Sequence, residues 1–279
     1  MFKSGSIMLL GTTNVGKSTL LNCLINKKIS ITSCKKNTTL FNILGIVNDE
    51  KYQLIFIDTP GIYTETKNNL FDRKRNSLIW KNVNEIDIFL FVVEKECSSE
   101  EKKILENLIK FKKKVILVIN KLDIKKNILI DKIILSYLNI LDFEYIVPVS
   151  ALKRKNIDIL LQNILSLIGE GPLYFPKEVL TDIPEDKIIT EFVREKILYF
   201  VHQEIPHSCS IVLEDMFYNK DSYLEISVLI YVRKTSHKKI LIGKNGYKLK
   251  RIGIEARKEI NQYLKQKIHL NLWVKVEKK

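Results

Sequence analysis

No two of the four cysteines (Cys23, Cys34, Cys97 and Cys209) form a C-x-x-C pair, which leaves no zinc or dithiol motif to read. Scattered thiols of this kind suit a reducing cytosol. Cys23, inside an apolar helical stretch, is expected to fill core space. No apolar run approaches the roughly 18 residues needed to cross a bilayer. The early run Ile7-Met8-Leu9-Leu10 is too short for a signal-peptide core and leads straight into a glycine loop, so a cytoplasmic protein is expected. Low-complexity segments and internal repeats are missing as well, and the mixed apolar content of 46% permits a packed core.

Acidic residues are the minority charge. Lys and Arg number 46 against 32 Asp and Glu, a net charge of +14 that points to an anionic partner, nucleic acid first. Lysine is abundant along the whole chain, so the location of the charge says more than its total. A length of 279 residues suits two domains, one of ordinary α/β size and one smaller.

In the first part, short β-branched runs alternate with amphipathic segments. Strands are expected over Ile7–Leu10, Gln53–Asp58, Ile88–Val93, Val115–Asn120 and Tyr145–Val149. A helix is expected over Ser99–Phe111, with Ile104, Leu105, Leu108 and Phe111 on one face. This alternation predicts an α/β domain with a mostly parallel sheet and helices on both faces. A stretch rich in turn residues follows, Gly169-Glu170-Gly171-Pro172 with Pro176 and Pro184. The expected division is a nucleotide domain over 1–170, a linker over 171–186 and a smaller α+β domain over 187–279. In that last part a helix is expected near Ile188–Val201, strands near Ser210–Leu213 and Tyr223–Val232, and helices near Ser236–Ile242 and Tyr247–Leu264. A strand over Ile268–Val276 completes the order αββααβ.

Gly11-Thr12-Thr13-Asn14-Val15-Gly16-Lys17-Ser18 fits G-x-x-x-x-G-K-[ST] between a strand and a helix that begins through Thr19. The glycines let backbone N–H groups turn inward around phosphates. Lys17 adds positive charge near the β and γ phosphates, and the Ser18 hydroxyl suits Mg²⁺. Asp58-Thr59-Pro60-Gly61 follows a strand, which puts Asp58 where it can hold Mg²⁺ through water and the Gly61 N–H where it can sense a γ-phosphate. Asn120-Lys121-Leu122-Asp123 supplies a carboxylate for the guanine N1–H and amino group, a donor pair adenine lacks. Ser150-Ala151 follows the next strand, where the Ala151 N–H can meet the guanine O6. Each motif alone fits an ordinary turn; in this order at strand ends they specify a guanine-nucleotide site for GTP or GDP with Mg²⁺. Thr39, in the polar stretch Asn37-Thr38-Thr39, is the threonine expected to close on Mg²⁺ and γ-phosphate.

With these motifs the chain resembles the Era family of bacterial GTPases. The segments that carry the resemblance are Asn14–Asn22, Lys28–Ser33, Thr38-Thr39, Asp58–Gly61, Asn120–Asp123 and Ser150-Ala151, and beyond them Lys238–Gly246, Ile252–Lys258 and Leu272–Val276. The family's usual Arg-Pro is Thr12-Thr13 here, and a basic residue usual after the paired threonines is Leu40. The resemblance implies a GTP-hydrolysing switch that binds the 3′ end of 16S rRNA and assists maturation of the 30S subunit.

Catalysis is expected from positioning and charge stabilisation, with Lys17, Thr39 and Gly61 as the groups around the γ-phosphoryl. Ile62 stands after Gly61 where many GTPases carry a water-orienting Gln, so slow intrinsic turnover is expected. Asn14 has two open readings, a ligand for K⁺ or a stabiliser of its own loop. In the smaller domain, αββααβ with G-x-x-G between two helices resembles a type II KH domain. From Arg233 to Lys258 there are ten basic residues and one acid, Glu255. Lys238, Lys239, Ile242, Gly243, Lys244, Asn245, Gly246, Lys248, Lys250 and Arg251 are the expected RNA contacts. Peripheral contact with the inner face of the cell membrane is an alternative use of that basic face. No obligate protein partner is expected, and the chain is read as a monomer.

Overall fold

Strands β4 (Ile88–Val93) and β5 (Lys114–Ile119) are apolar at almost every position because both of their faces are covered. The structure is a computed structural model and describes residues 1–32, 42–61, 83–124, 127–201, 205–220 and 222–277. Among these, β1 (Lys3–Leu10), β2 (Ile43–Asn48), β3 (Tyr52–Asp58), β4, β5 and β6 (Tyr145–Pro148) form a sheet in the order β2-β3-β1-β4-β5-β6. All neighbours in it are parallel except β2, an antiparallel edge strand on β3.

Alternation along β1 and β4 sends Met8, Leu10, Phe89, Phe91 and Val93 to one face, into a core with helices α2 (Ser99–Ile109) and α3 (Asn127–Leu138). Leu20, Leu21 and Leu24 of α1 (Lys17–Ile25) and Leu160 and Ile164 of α4 (Ile157–Leu167) are also buried. Each such side chain contributes about 1.5–3 kcal/mol by leaving water. Helix α2 starts on a full capping box: Glu101 N–H donates to Ser98 Oγ, and Ser98 N–H donates to Glu101 Oε2 at 2.9 Å. Cys23 is buried, as expected of a core filler.

Residues 171–182 are placed differently from the expected linker. The chain divides into Met1–Asp182 and Ile183–Lys279, and 171–182 lies along the outer sheet edge of the first unit. Backbone groups that a free linker would leave to water are paired there. Gln53, fully buried, donates from Nε2 to Asn48 Oδ1 and Phe175 O, and its Oε1 accepts the N–H groups of Tyr174 and Phe175. Further along, Asn48 Nδ2 donates to Val179 O, Ile46 N–H to Leu180 O and Thr181 Oγ1 to Leu44 O. Proline and glycine mark the backbone here as irregular, and irregular backbone can still be docked.

The second unit has β7 (Ser210–Tyr218), β8 (Leu224–Val232) and β9 (Ile268–Val276) in that order, β7 antiparallel and β9 parallel to β8. Its helices are α5 (Glu185–Phe200), the short α6 (Ile205–Ser208), α7 (Thr235–Ile242) and α8 (Tyr247–Leu264). Alternate residues of β8, from Leu224 to Val232, are buried together with Ile252, Ala256 and Ile260 of α8. The rings of Phe192 on α5 and Tyr263 on α8 meet edge to face at 5.6 Å. Apart from the single turn α6, the order is the expected αββααβ. No described helix is long and apolar enough to cross a membrane.

Candidate functional site

The end of β1 turns through Gly11, whose φ of 143° and close approach to the Val92 carbonyl leave no room for a side chain. Asn14 (φ 65°) and Gly16 (φ 95°) continue the left-handed path into α1. A Cβ on Gly16 would stand 2.4 Å from Asn120 Nδ2. That amide donates to Val15 O at 2.9 Å and so ties the base-reading loop to the phosphate loop. Lys17 is buried with its ammonium donating to Gly11 O (3.0 Å) and Thr12 O (2.8 Å). Burial pulls its pKa down to about 8, with the Asp58 carboxylate opposing the shift.

Asp58 ends β3 in full burial, and burial raises its pKa while Lys17, Ser18 and Ser30 hold it back. Its Oδ2 accepts from Ser18 Oγ at 2.6 Å and from Ser30 Oγ at 3.2 Å. Its Oδ1 has no hydrogen-bond partner among the described residues. A buried carboxylate oxygen without a donor, beside a serine hydroxyl and an ammonium, suits a cation and the phosphates that accompany it. Thr59 Oγ1 donates to Leu9 O at 2.7 Å, fixing the exit from β3, and Gly61 passes close against Thr13. Thr39, with Thr38 and Leu40, lies outside the described residues, as does Ile62.

At the base-reading end, Asn120 Oδ1 accepts from Lys121 N–H at 2.8 Å and from Ala151 N–H at 3.1 Å. The Ala151 N–H, expected to face a base oxygen, is thus directed to Asn120. Lys121 reaches over the phosphate loop to Asn14 O at 2.8 Å and pairs with Glu94. Ser150 Oγ donates to Asp123 Oδ1 at 2.5 Å. The structure therefore gathers Gly11, Val15, Gly16, Lys17, Ser18, Asp58, Asn120, Asp123, Ser150 and Ala151 at the strand ends, with Thr19 one residue further into α1.

In the second unit α7 ends at Gly243, and Gly243, Asn245 and Gly246 all have positive φ (74°, 50° and 75°). A Cβ on Gly243 would meet Lys248 Cβ at 2.8 Å, so the loop lies tight on the start of α8. Lys239, Lys244, Lys250 and Arg251 are exposed, while Lys238, Ile242 and Lys248 are half-buried.

The pattern of the 50S ribosome-binding GTPase family matches residues 6–121, and that of the KH domain matches 204–279. The GTPase Era of Clostridioides difficile is 44% identical over 284 residues, covering 99% of this chain and 94% of that protein. That of Clostridium novyi is 40% identical, covering 100% and 95%. The chain belongs to the Era GTPase family. Two solved Era structures superpose on it. One is Era with MgGDPNP and nucleotides 1506–1542 of 16S ribosomal RNA (36% identity, TM-score 0.88, 99% and 94% coverage). The other is an Aquifex aeolicus Era variant with GDP·AlF4⁻ (35% identity, TM-score 0.90, 99% and 94% coverage).

Two residues of this Era-family site, Ser30 within the Lys28–Ser33 segment and Glu101, are not among the expected nucleotide or metal contacts. Ser30 is buried on Asp58 because Asn22 of α1 holds its segment: Asn22 Oδ1 accepts the N–H groups of Ile29 and Ser30, both at 2.9 Å. Glu101, fully buried, accepts from Thr12 Oγ1 at 3.2 Å, which anchors the phosphate loop where the usual Arg-Pro is replaced. The capping pattern Ser98-Ser99-Glu100-Glu101 is the available signal for Glu101; its reach of 89 residues to Thr12 has no local trace.

Proposed function

We propose that this Era-family GTPase binds the 3′ end of 16S rRNA in its GTP state and releases it after hydrolysis, assisting maturation of the 30S subunit. The observation that carries the reading is the pairing in one chain of a guanine-nucleotide site with a basic, left-handed G-x-x-G loop. The relative solved with MgGDPNP and a 16S rRNA segment supports it.

In the nucleotide site, Asp123 accepts two hydrogen bonds from the guanine edge. The N–H groups of Gly11 to Ser18 surround the phosphates, and Lys17 places its ammonium at the β and γ groups. The open Oδ1 of Asp58 and the Ser18 hydroxyl would hold Mg²⁺, with Thr39 the expected further group, and the ion would neutralise charge on the phosphates. Water attacks the γ-phosphorus in line, GDP leaves, and the water protons pass to phosphate and solvent. The residue after Gly61 cannot hydrogen-bond that water, so intrinsic turnover is slow. Asn14, on the left-handed turn of the phosphate loop, would supply an amide oxygen for K⁺. Replacing NaCl by KCl at equal ionic strength is expected to raise kcat several-fold; equal rates would remove Asn14 from that role.

The governing experiment is titration of a labelled single-stranded RNA copying the 16S rRNA 3′ end, against a GTP analogue and against GDP, at one salt concentration. A scrambled RNA controls for phosphate attraction, which falls steeply with salt whatever the sequence. Tighter binding of the true sequence with the analogue is expected. Equal binding of the scrambled RNA would mean that the basic face serves another anion, an anionic lipid surface included.

A further inference from the structure

The seam between α5 and α8 joins Arg251, one of the expected RNA contacts, to two aromatic residues that neither the nucleotide site nor the G-x-x-G loop uses. Tyr199, at the end of α5, is 72% exposed, yet its ring is set edge to face on Phe200 at 4.9 Å and 87°. The guanidinium of Arg251, on the second turn of α8, rests over the other ring of that pair, 4.8 Å from the Phe200 centroid. Glu255, the acid one turn further on, is paired with Lys258 at 2.7 Å. Tyr247 lies one turn before Arg251 on the same helical face, directly after Gly246, and is 67% exposed. A strip of alternating aromatic and cationic groups therefore runs from the loop across the seam.

Single exposed aromatic residues are ordinary. Three features set this strip apart. Tyr199 is held by a neighbouring ring, so little rotamer entropy is lost when something stacks on it. Arg251 lies on a ring, which leaves its donors turned to solvent and able to meet phosphate. The strip is also continuous with a segment of ten basic residues and one acid. Aromatic faces beside cations on a backbone-tracking groove are what single-stranded nucleic acid selects.

We propose that Tyr199, Phe200 and Arg251 form a second RNA contact, in which a base stacks on Tyr199 and Arg251 holds the adjoining phosphate. The inference rests on the RNA-binding reading above. Its test uses the full chain with the GTP analogue, the same single-stranded 3′-end RNA with flanking nucleotides retained, and the variants Tyr199→Ala and Tyr199→Phe. A stacked base is worth about 1–3 kcal/mol, so Tyr199→Ala is expected to weaken RNA binding about 5- to 150-fold without changing the salt slope. Tyr199→Phe should restore it, and 5-bromouridine RNA should photo-crosslink to the peptide containing Tyr199. Wild-type affinity for Tyr199→Ala, or no crosslink there, overturns the contact. Gly243→Asp separates the two readings. If it abolishes binding while Tyr199→Ala does not, the loop reading stands and the strip is wrong. If it changes nothing, the RNA role of the loop fails instead. Loss of binding to anionic vesicles, with RNA affinity intact, would give the strip to lipid and overturn the proposal.

Discussion

Asp123→Asn is expected to convert this protein from a guanine to a xanthine nucleotide binder. Guanine presents two donors in a row, N1–H and the exocyclic amine, which a carboxylate accepts together. Asparagine offers one acceptor and one donor, so its NH₂ meets the guanine amine donor to donor. Xanthine carries a carbonyl where guanine has the amine and fits asparagine at both positions. Ser150 donates at 2.5 Å to Oδ1, and an amide oxygen placed there keeps that bond. Sites that read a group by hydrogen bonds reject analogues lacking it by about 10⁴-fold, because buried partners are left unpaired. GDP affinity should fall at least about 10³-fold and XDP affinity should rise to replace it. Competition titrations against a fluorescent nucleotide measure both, and an unchanged preference for GDP would show that the carboxylate does not face the base.

Gly16→Ala should be nearly as damaging, although one methyl group is all it adds. The backbone there has φ 95°, and the new Cβ falls 2.4 Å from Asn120 Nδ2. Holding a non-glycine residue in that conformation costs about 1–3 kcal/mol. Displacing Asn120 from the Val15 carbonyl, 2.9 Å away, leaves a buried acceptor unmet at about another 1–3 kcal/mol. The loop can escape both by turning its N–H groups away from the phosphates, so the loss falls on nucleotide affinity before it falls on folding. Isothermal titration with GDP should show weakening of at least about 100-fold, with a thermal transition that stays cooperative. A variant that binds GDP normally would show that the loop tolerates a different path.

Much of the fold is readable where local chemistry and tertiary structure agree. The run Ile88–Val93 is bounded by Asp87 and Glu94 and is β4 to the residue. Helix α8 is bracketed in the same way, by Gly246 before Tyr247 and by the left-handed turn at Lys265 after Leu264. Strand β2 is harder to read, because Ile43–Asn48 adjoins the polar threonine stretch and pairs only at an edge. The end of the first unit escapes a sequence reading because Gln53 holds Phe175 from 122 residues away, and a carboxamide gives no sign in sequence of what it will bind. The same holds at the nucleotide site. The expected ligands announce themselves by spacing, whereas the contacts of Ser30 and Glu101 exist only after the sheet is assembled.

The docking of 171–182 also bears on how this segment can change length over time. A surface loop ordinarily absorbs an added or lost residue at little cost, since closure entropy grows slowly with length. Here Gly171 N–H meets Phe2 O at 3.2 Å, Tyr174 and Phe175 share one buried carboxamide, and Val179 to Thr181 bond in succession to Asn48, Ile46 and Leu44. Each anchor fixes a register. One residue more or less between Val179 and Thr181 would force one of these anchors to let go, stranding the β2 edge without partners. Insertions and deletions should therefore be as poorly tolerated in this irregular, proline-marked stretch as they are within a strand.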